Sequence, residues 1–134
     1  MATFKFYTDA ALTTPVVSNV QFGEGTTTTT IYVGSTDATK KLQSATSPGV
    51  NPVEVTIVDS TPGSGPEDDW VTLALTLPEL STNNPGDPLE LGTTVYGGVA
   101  NAVPVYVKVV NSLSGATSST QLSLQLDDVK EFAV

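Results

Sequence analysis

Residues 103–111 read Val-Pro-Val-Tyr-Val-Lys-Val-Val-Asn, and this stretch decides the fold class. Val103, Val105, Val107 and Val109 fall at every second position, which is the period of a β-strand with one buried face. Residues 121–127 repeat the pattern with Leu122, Leu124 and Leu126, and a Ser/Gly/Thr-rich stretch, 112–120, separates the two. The spacing predicts a long antiparallel hairpin. Pro104 has no N–H for a ladder, so its strand is expected to begin at an edge or a bulge.

The same alternation recurs upstream. Thr3 to Thr8 predicts an N-terminal strand with Phe4 and Phe6 on one face and Lys5 and Tyr7 on the other; Asp9 to Leu12 and Pro15 close it. A short segment follows around Val16 to Phe22. Gly23-Glu24-Gly25 reads as a turn, and the β-branched run Thr26 to Val33 as a strand with a polar start. Asp37 to Leu42 fits either a short turn or a short helix. Val53, Val55 and Ile57 mark a core strand, followed by a turn from Asp59 to Pro66. Trp70 to Leu77 alternates Val71, Leu73, Leu75 and Leu77 against smaller residues, and 83–88 is a loop. Leu89 to Val95 is expected as one more strand, with Gly97-Gly98 after it.

No stretch of ten residues carries helical periodicity. Seven to nine short strands without helical crossovers predict an all-β fold, an antiparallel β-sandwich of immunoglobulin-like type. The 134 residues fit a single domain, 1–134, with residues 1–15 as a docking arm or an edge strand.

Composition narrows the chemistry. The chain has no Cys, no His and no Arg, which takes away the usual nucleophile, general base, soft metal ligands and bidentate anion clamp. A Ser or Thr nucleophile would be left with a lysine or the N-terminal amine as base, and no motif surrounds either. Paired carboxylates could cleave a glycosidic bond only in a cleft with aromatic platforms, and one Trp and four Tyr are dispersed along the chain. No enzymatic activity, cofactor or metal site is expected. Glu67-Asp68-Asp69 could hold calcium but lacks a dedicated loop spacing, and Asp127-Asp128 would converge on one ion only if the strand broke there.

The formal net charge of −9, with five dispersed lysines, repels nucleic acid and anionic lipid, so neither nucleic acid nor membrane is an expected partner. The N-terminal residues carry no signal-peptide pattern, and the lack of cysteine fits synthesis in a reducing cytoplasm. Aromatic residues stand at both ends, where chains fray unless docked. Phe4, Phe6, Tyr7 and Phe132, with Trp70 at a charged turn, are therefore the candidate partner-binding residues.

Phe6-Tyr7-Thr8-Asp9-Ala10-Ala11-Leu12-Thr13-Thr14 resembles an opening phrase of small virion proteins of tailed bacteriophages. Ile31-Tyr32-Val33-Gly34, Val55-Thr56-Ile57-Val58-Asp59 and residues 98–107 look like the same kind of protein. The resemblance implies a capsid decoration, or cement, protein: made in the host cytoplasm, located on the virion surface, bound to the major capsid protein lattice, and assembled as a homotrimer. A tail or baseplate component shares this composition. A carbohydrate-binding or adhesin module is the third reading, and it would depend on Trp70.

Overall fold

The computed structural model describes residues 4–16, 20–22, 25–59, 70–111, 117–119 and 122–134. The expected turns at 23–24 and 60–66, the Glu67-Asp68-Asp69 cluster and the stretches 112–116 and 120–121 lie outside the described residues. Among the described residues twelve strands form: β1 (Lys5–Tyr7), β2 (Val20–Phe22), β3 (Gly25–Gly34), β4 (Lys40–Ser44), β5 (Glu54–Asp59), β6 (Val71–Ala74), β7 (Leu89–Glu90), β8 (Val95–Tyr96), β9 (Val103–Asn111), β10 (Thr117–Ser119), β11 (Leu122–Asp127) and β12 (Val129–Ala133). Two single 3-10 turns, Pro78–Ser81 and Val99–Asn101, are the described helical segments.

The result is the antiparallel β-sandwich. One layer has the order β1-β3-β9-β6, with β9 in the middle and a nine-residue ladder from Gly25↔Asn111 to Val33↔Val103. The other layer is made of two three-stranded sheets, β11-β5-β7 and β12-β4-β8, set end to end. β11 runs through Asp128 straight into β12. The Val53 N–H donates to the Gly92 carbonyl and the Leu91 N–H to the Val53 carbonyl, both at 2.7 Å, so pairing continues beyond β5 and β7. The Ala45 N–H donates to the Asp128 carbonyl at 2.7 Å, closing the gap on the other side. The layer is therefore three long ribbons, each interrupted once: at Asp128 (φ 48), at the excursion 45–53, and at Gly92 (φ 94). A two-stranded pair, β2 with β10, completes the described pairing.

Counted as ribbons, the layers hold four and three, the numbers of the immunoglobulin constant type. One step of connectivity differs from that type. The ribbon after β6 crosses to the facing layer, and β9 takes the place beside β3.

Valines and leucines of the two layers meet in one core: Ile31, Val33, Val71, Leu73, Val105, Val107 and Val109 from the first layer, Val55 and Leu89 from the second. Phe4, Leu42, Val53 and Val95 form a second cluster under the β4–β8–β12 end. Leu91, Val103 and Leu126 touch both.

The expected hairpin between 103–111 and 121–127 does not form. β9 lies between β3 and β6, β11 pairs with β5, and β10 intervenes in sequence. The valine face of β9 and the leucine face of β11 meet across the core, each from its own layer, rather than edge to edge. Alternation identifies a buried face but carries no information on which neighbour lies alongside it.

Three further readings change. β6 stops at Ala74, and Leu75 and Leu77, read as core positions, are 37% and 56% exposed. All four residues of β6 are buried, because the chain turns at Pro78 and folds back over the strand. Leu89 to Val95 is two strands split at Gly92, and Asp37 to Leu42 is a turn followed by a strand. These interruptions raise the strand count above seven to nine. Pro104 sits opposite Tyr32 of β3 and beyond Tyr106, the last residue paired to β6, so the strand has no ladder on that flank there.

Candidate docking groove

The layers open at one side. β1 is the outermost strand of the first layer, and β11–β12 is the outermost ribbon of the second. Between them runs a groove of about 520 Å³. Its floor is apolar: Phe4, Phe6, Leu42, Leu124, Leu126 and Val129. Lys5, Gln125, Lys130 and Glu131 supply its polar rim.

Local chemistry holds the β1 wall in place. Asp9 accepts from the backbone N–H groups of Thr13 at 3.0 Å and Thr14 at 3.1 Å, and from the Thr13 hydroxyl. These bonds favour the ionised carboxylate and hold Asp9 below its ordinary pKa, with the Thr13 side chain as the largest cause. The turn returns residues 14–16 along β1, where the Thr8 N–H donates to the Thr14 carbonyl and the Val16 N–H to the Phe6 carbonyl. Leu12 takes a positive φ of 56° and buries itself beside Gly34, where the missing side chain leaves room for it. The phrase 6–14 that carries the virion resemblance is thus, in this fold, the hairpin turn closing β1.

At the far side of the same layer β6 is also covered. The Asn83 side-chain amide donates to the Leu73 carbonyl at 2.9 Å and the Gly86 N–H to the Val71 carbonyl at 2.8 Å. A strand edge so covered is protected from adding a foreign strand.

Of the five candidate residues, Phe4 and Phe6 come together in the groove. Phe4 is 5% exposed and belongs to the core, and its N–H lies 3.5 Å from the Glu131 carboxylate, tying β1 to β12. Tyr7 is buried. Trp70, half-buried, packs against the main core at the start of β6, three strands from β1. Phe132 is half-buried on β12, with the Lys130 ammonium 5.7 Å from its ring centre. Leu42, Leu124, Leu126 and Val129 were not singled out from the sequence. The leucine alternation was visible, but which sheet edge it would border was not.

Among the described residues no group of three or more acidic side chains is placed to hold a metal ion. The strand does break at Asp128, yet Asp127 and Asp128 are both solvent-exposed and have no third ligand there. Among the described residues no helix is long and apolar enough to cross a membrane. Compared with known proteins, the chain matches no family model, no curated protein and no solved structure.

Proposed function

We propose that the chain is a non-enzymatic structural protein of a tailed-phage virion, a capsid decoration protein that grips the assembled head through the groove between β1 and β11–β12. The observation that carries the reading is the groove itself. Its apolar floor lies between two sheet edges, and Lys5 stands at its rim in a chain whose net charge is −9. Such a site takes an extended segment whose apolar side chains fill the floor and whose carboxylate meets Lys5. The resemblance of residues 6–14, 31–34, 55–59 and 98–107 to virion proteins supplies the identity of the partner, the major capsid protein. The absence of His, Cys and Arg agrees with a role in adhesion.

Removal of residues 1–9 is a poor test, since Phe4 and Tyr7 are part of the folded interior. Two groove variants serve instead: Leu124→Asp on the floor, and Lys5→Glu on the rim. Each is expected to lower co-sedimentation with purified heads at least about tenfold. Undiminished binding by both overturns the assignment to the groove. Cryo-electron microscopy that places the chain on the tail rather than the shell replaces the decoration role with a tail or baseplate role.

A further inference from the structure

The outward face of the three-ribbon layer is polarised along its length. Val55, Leu89 and Leu126 turn inward, so their neighbours Glu54, Glu90 and Asp127 turn outward. The register sets Asp127 opposite Glu54 and Glu54 opposite Glu90, a row of three carboxylates, one on each ribbon. Like charges directly opposite across strands destabilise a sheet. Beyond Asp128 the sign changes. Leu42 and Val95 turn inward, leaving Lys41, Tyr96, Phe132 and Lys130 outward; Phe132, Lys41 and Tyr96 form one row across the ribbons, with Lys130 and Gln43 in the next pair. No carboxylate stands on the outward side of β4, β8 or β12, in a chain with 14 acidic residues against five lysines.

The two ends match ribbon by ribbon. The outer ribbon carries Asp127 and then Phe132, with the Lys130 ammonium 5.7 Å from its ring centre, the middle one Glu54 and Lys41, the third Glu90 and Tyr96. A two-fold axis lying across the ribbons near Asp128 reverses the direction along the strands and keeps each ribbon over its own copy. Glu54 then meets Lys41 and Glu90 meets Tyr96 of the other molecule, while Asp127 meets Phe132, whose ring carries the Lys130 ammonium 5.7 Å from its centre. We infer that this face pairs with the same face of a second copy of the chain, forming an isologous dimer with Glu54 over the partner's Lys41, Glu90 over the partner's Tyr96 and Asp127 over the partner's Phe132, within reach of the Lys130 ammonium that leans on that ring.

The dimer relieves the repulsion within the acidic row and covers Tyr96, which is 50% exposed in the single chain. The face measures about 14 Å by 35 Å, so pairing buries about 1,000 Å² in total, below the roughly 1,200–2,000 Å² of stable interfaces and in the range of weak, reversible ones. The overall charge of −9 on each copy opposes approach, but at physiological ionic strength it is screened beyond about 8 Å, whereas the facing pairs are in contact. The inference stands on strand register and does not depend on the head-binding role. It replaces the three-fold association implied by the virion resemblance with a two-fold one.

Light scattering or sedimentation of the full chain at about 100 μM, in about 0.15 M salt, tests it at a concentration suited to a small interface. Twice the chain mass is expected, with Glu54→Lys and Lys41→Glu each weakening association at least about tenfold. Mixing those two variants restores it, because in the mixed pair both contacts are again between opposite charges. The restoration also shows that neither variant had merely misfolded. A monomer or trimer for the wild-type chain, a dimer untouched by Glu54→Lys, or no recovery on mixing overturns the inference.

Discussion

The two layers of the sandwich are built to different standards of continuity. The β3–β9 ladder runs nine residue pairs without a break, and both outer strands of its layer are covered by the chain's own returns, 14–16 on β1 and 83–86 on β6. The facing layer is cut across all three ribbons at one level, by Asp128, by the excursion 45–53 and by Gly92. The difference separates two structural tasks. The continuous layer holds the fold and lends β1 as one wall of the groove, and the interrupted one carries the other wall and the polarised face. One cost follows from the cut. Beyond it the interior narrows to Phe4, Leu42, Val53 and Val95, a smaller cluster whose Phe4 and Leu42 also line the groove.

Truncating one leucine on each side tests this contrast with the largest effects. Leu73→Ala, in the main core, is expected to cost about 3–4 kcal/mol, and Leu42→Ala, in the smaller cluster beside an opening, about 2–3 kcal/mol. Urea unfolding of both variants checks it. Equal losses would mean that the two ends are equally well packed, and the distinction between a holding layer and a working layer would fail.

The same contrast explains which parts of the fold were legible in the sequence. Residues 103–111 and 26–33 were readable as strands because an unbroken run keeps its period, and β-branched residues fill both. Leu89 to Val95 was read as one strand because Gly92 interrupts a ribbon without changing its direction. The last residues, 129–133, carried only Val129 and Phe132 as signals and lack clean alternation; their strand exists because β4 pairs with it. The groove was half legible. Phe4 and Phe6 were marked by their position at a chain end, but Leu124 and Leu126 acquire their role from standing at an outer ribbon, a property of long-range pairing that no local pattern encodes. Tyr7 and Trp70 show the reverse, as aromatic residues that drew attention and lie outside the groove, Tyr7 buried and Trp70 half-buried against the main core.

Two glycines at the interrupted end sharpen the comparison further. A Cβ on Gly97 would stand 2.0 Å from the Asp37 carbonyl oxygen and 2.8 Å from that of Lys40, both backbone atoms that cannot rotate away. Gly97→Ala is expected to cost about 2–3 kcal/mol through forced backbone movement. Gly92 has open space around it and only its positive φ to satisfy, so Gly92→Ala is expected to cost about 1–2 kcal/mol. Thermal unfolding of the pair measures the difference. If Gly92→Ala proved the worse of the two, close approach at Gly97 would not be what fixes this end. On the continuous layer, Asn83→Ala removes one hydrogen bond from the β6 edge and is expected to cost about 1 kcal/mol.

The smallest expected effect concerns the turn that closes β1. The Asp9 carboxylate is held below the ordinary value of 3.8 by the Thr13 hydroxyl first and by the Thr14 and Thr13 N–H groups. A carboxyl whose pKa is lower in the folded than in the unfolded chain binds fewer protons when folded, so between the two values stability rises with pH. Its contribution is fully present above pH 3.8, declines as pH falls toward the lowered folded value, and is gone below both. Asp37, held down first by the Thr39 hydroxyl, then by the Thr39 N–H and less by Lys40, follows the same sign. Asp9→Ala should therefore unfold at lower urea than the wild-type chain at pH 7, with the two midpoints converging as the acid range is entered. Because the turn anchors only the outer flank of β1, the gap should be narrow even at neutral pH. A gap that stayed constant down to pH 2 would show that Asp9 acts by shape alone, and the charge-held turn would drop out of the account of how the groove wall is fixed.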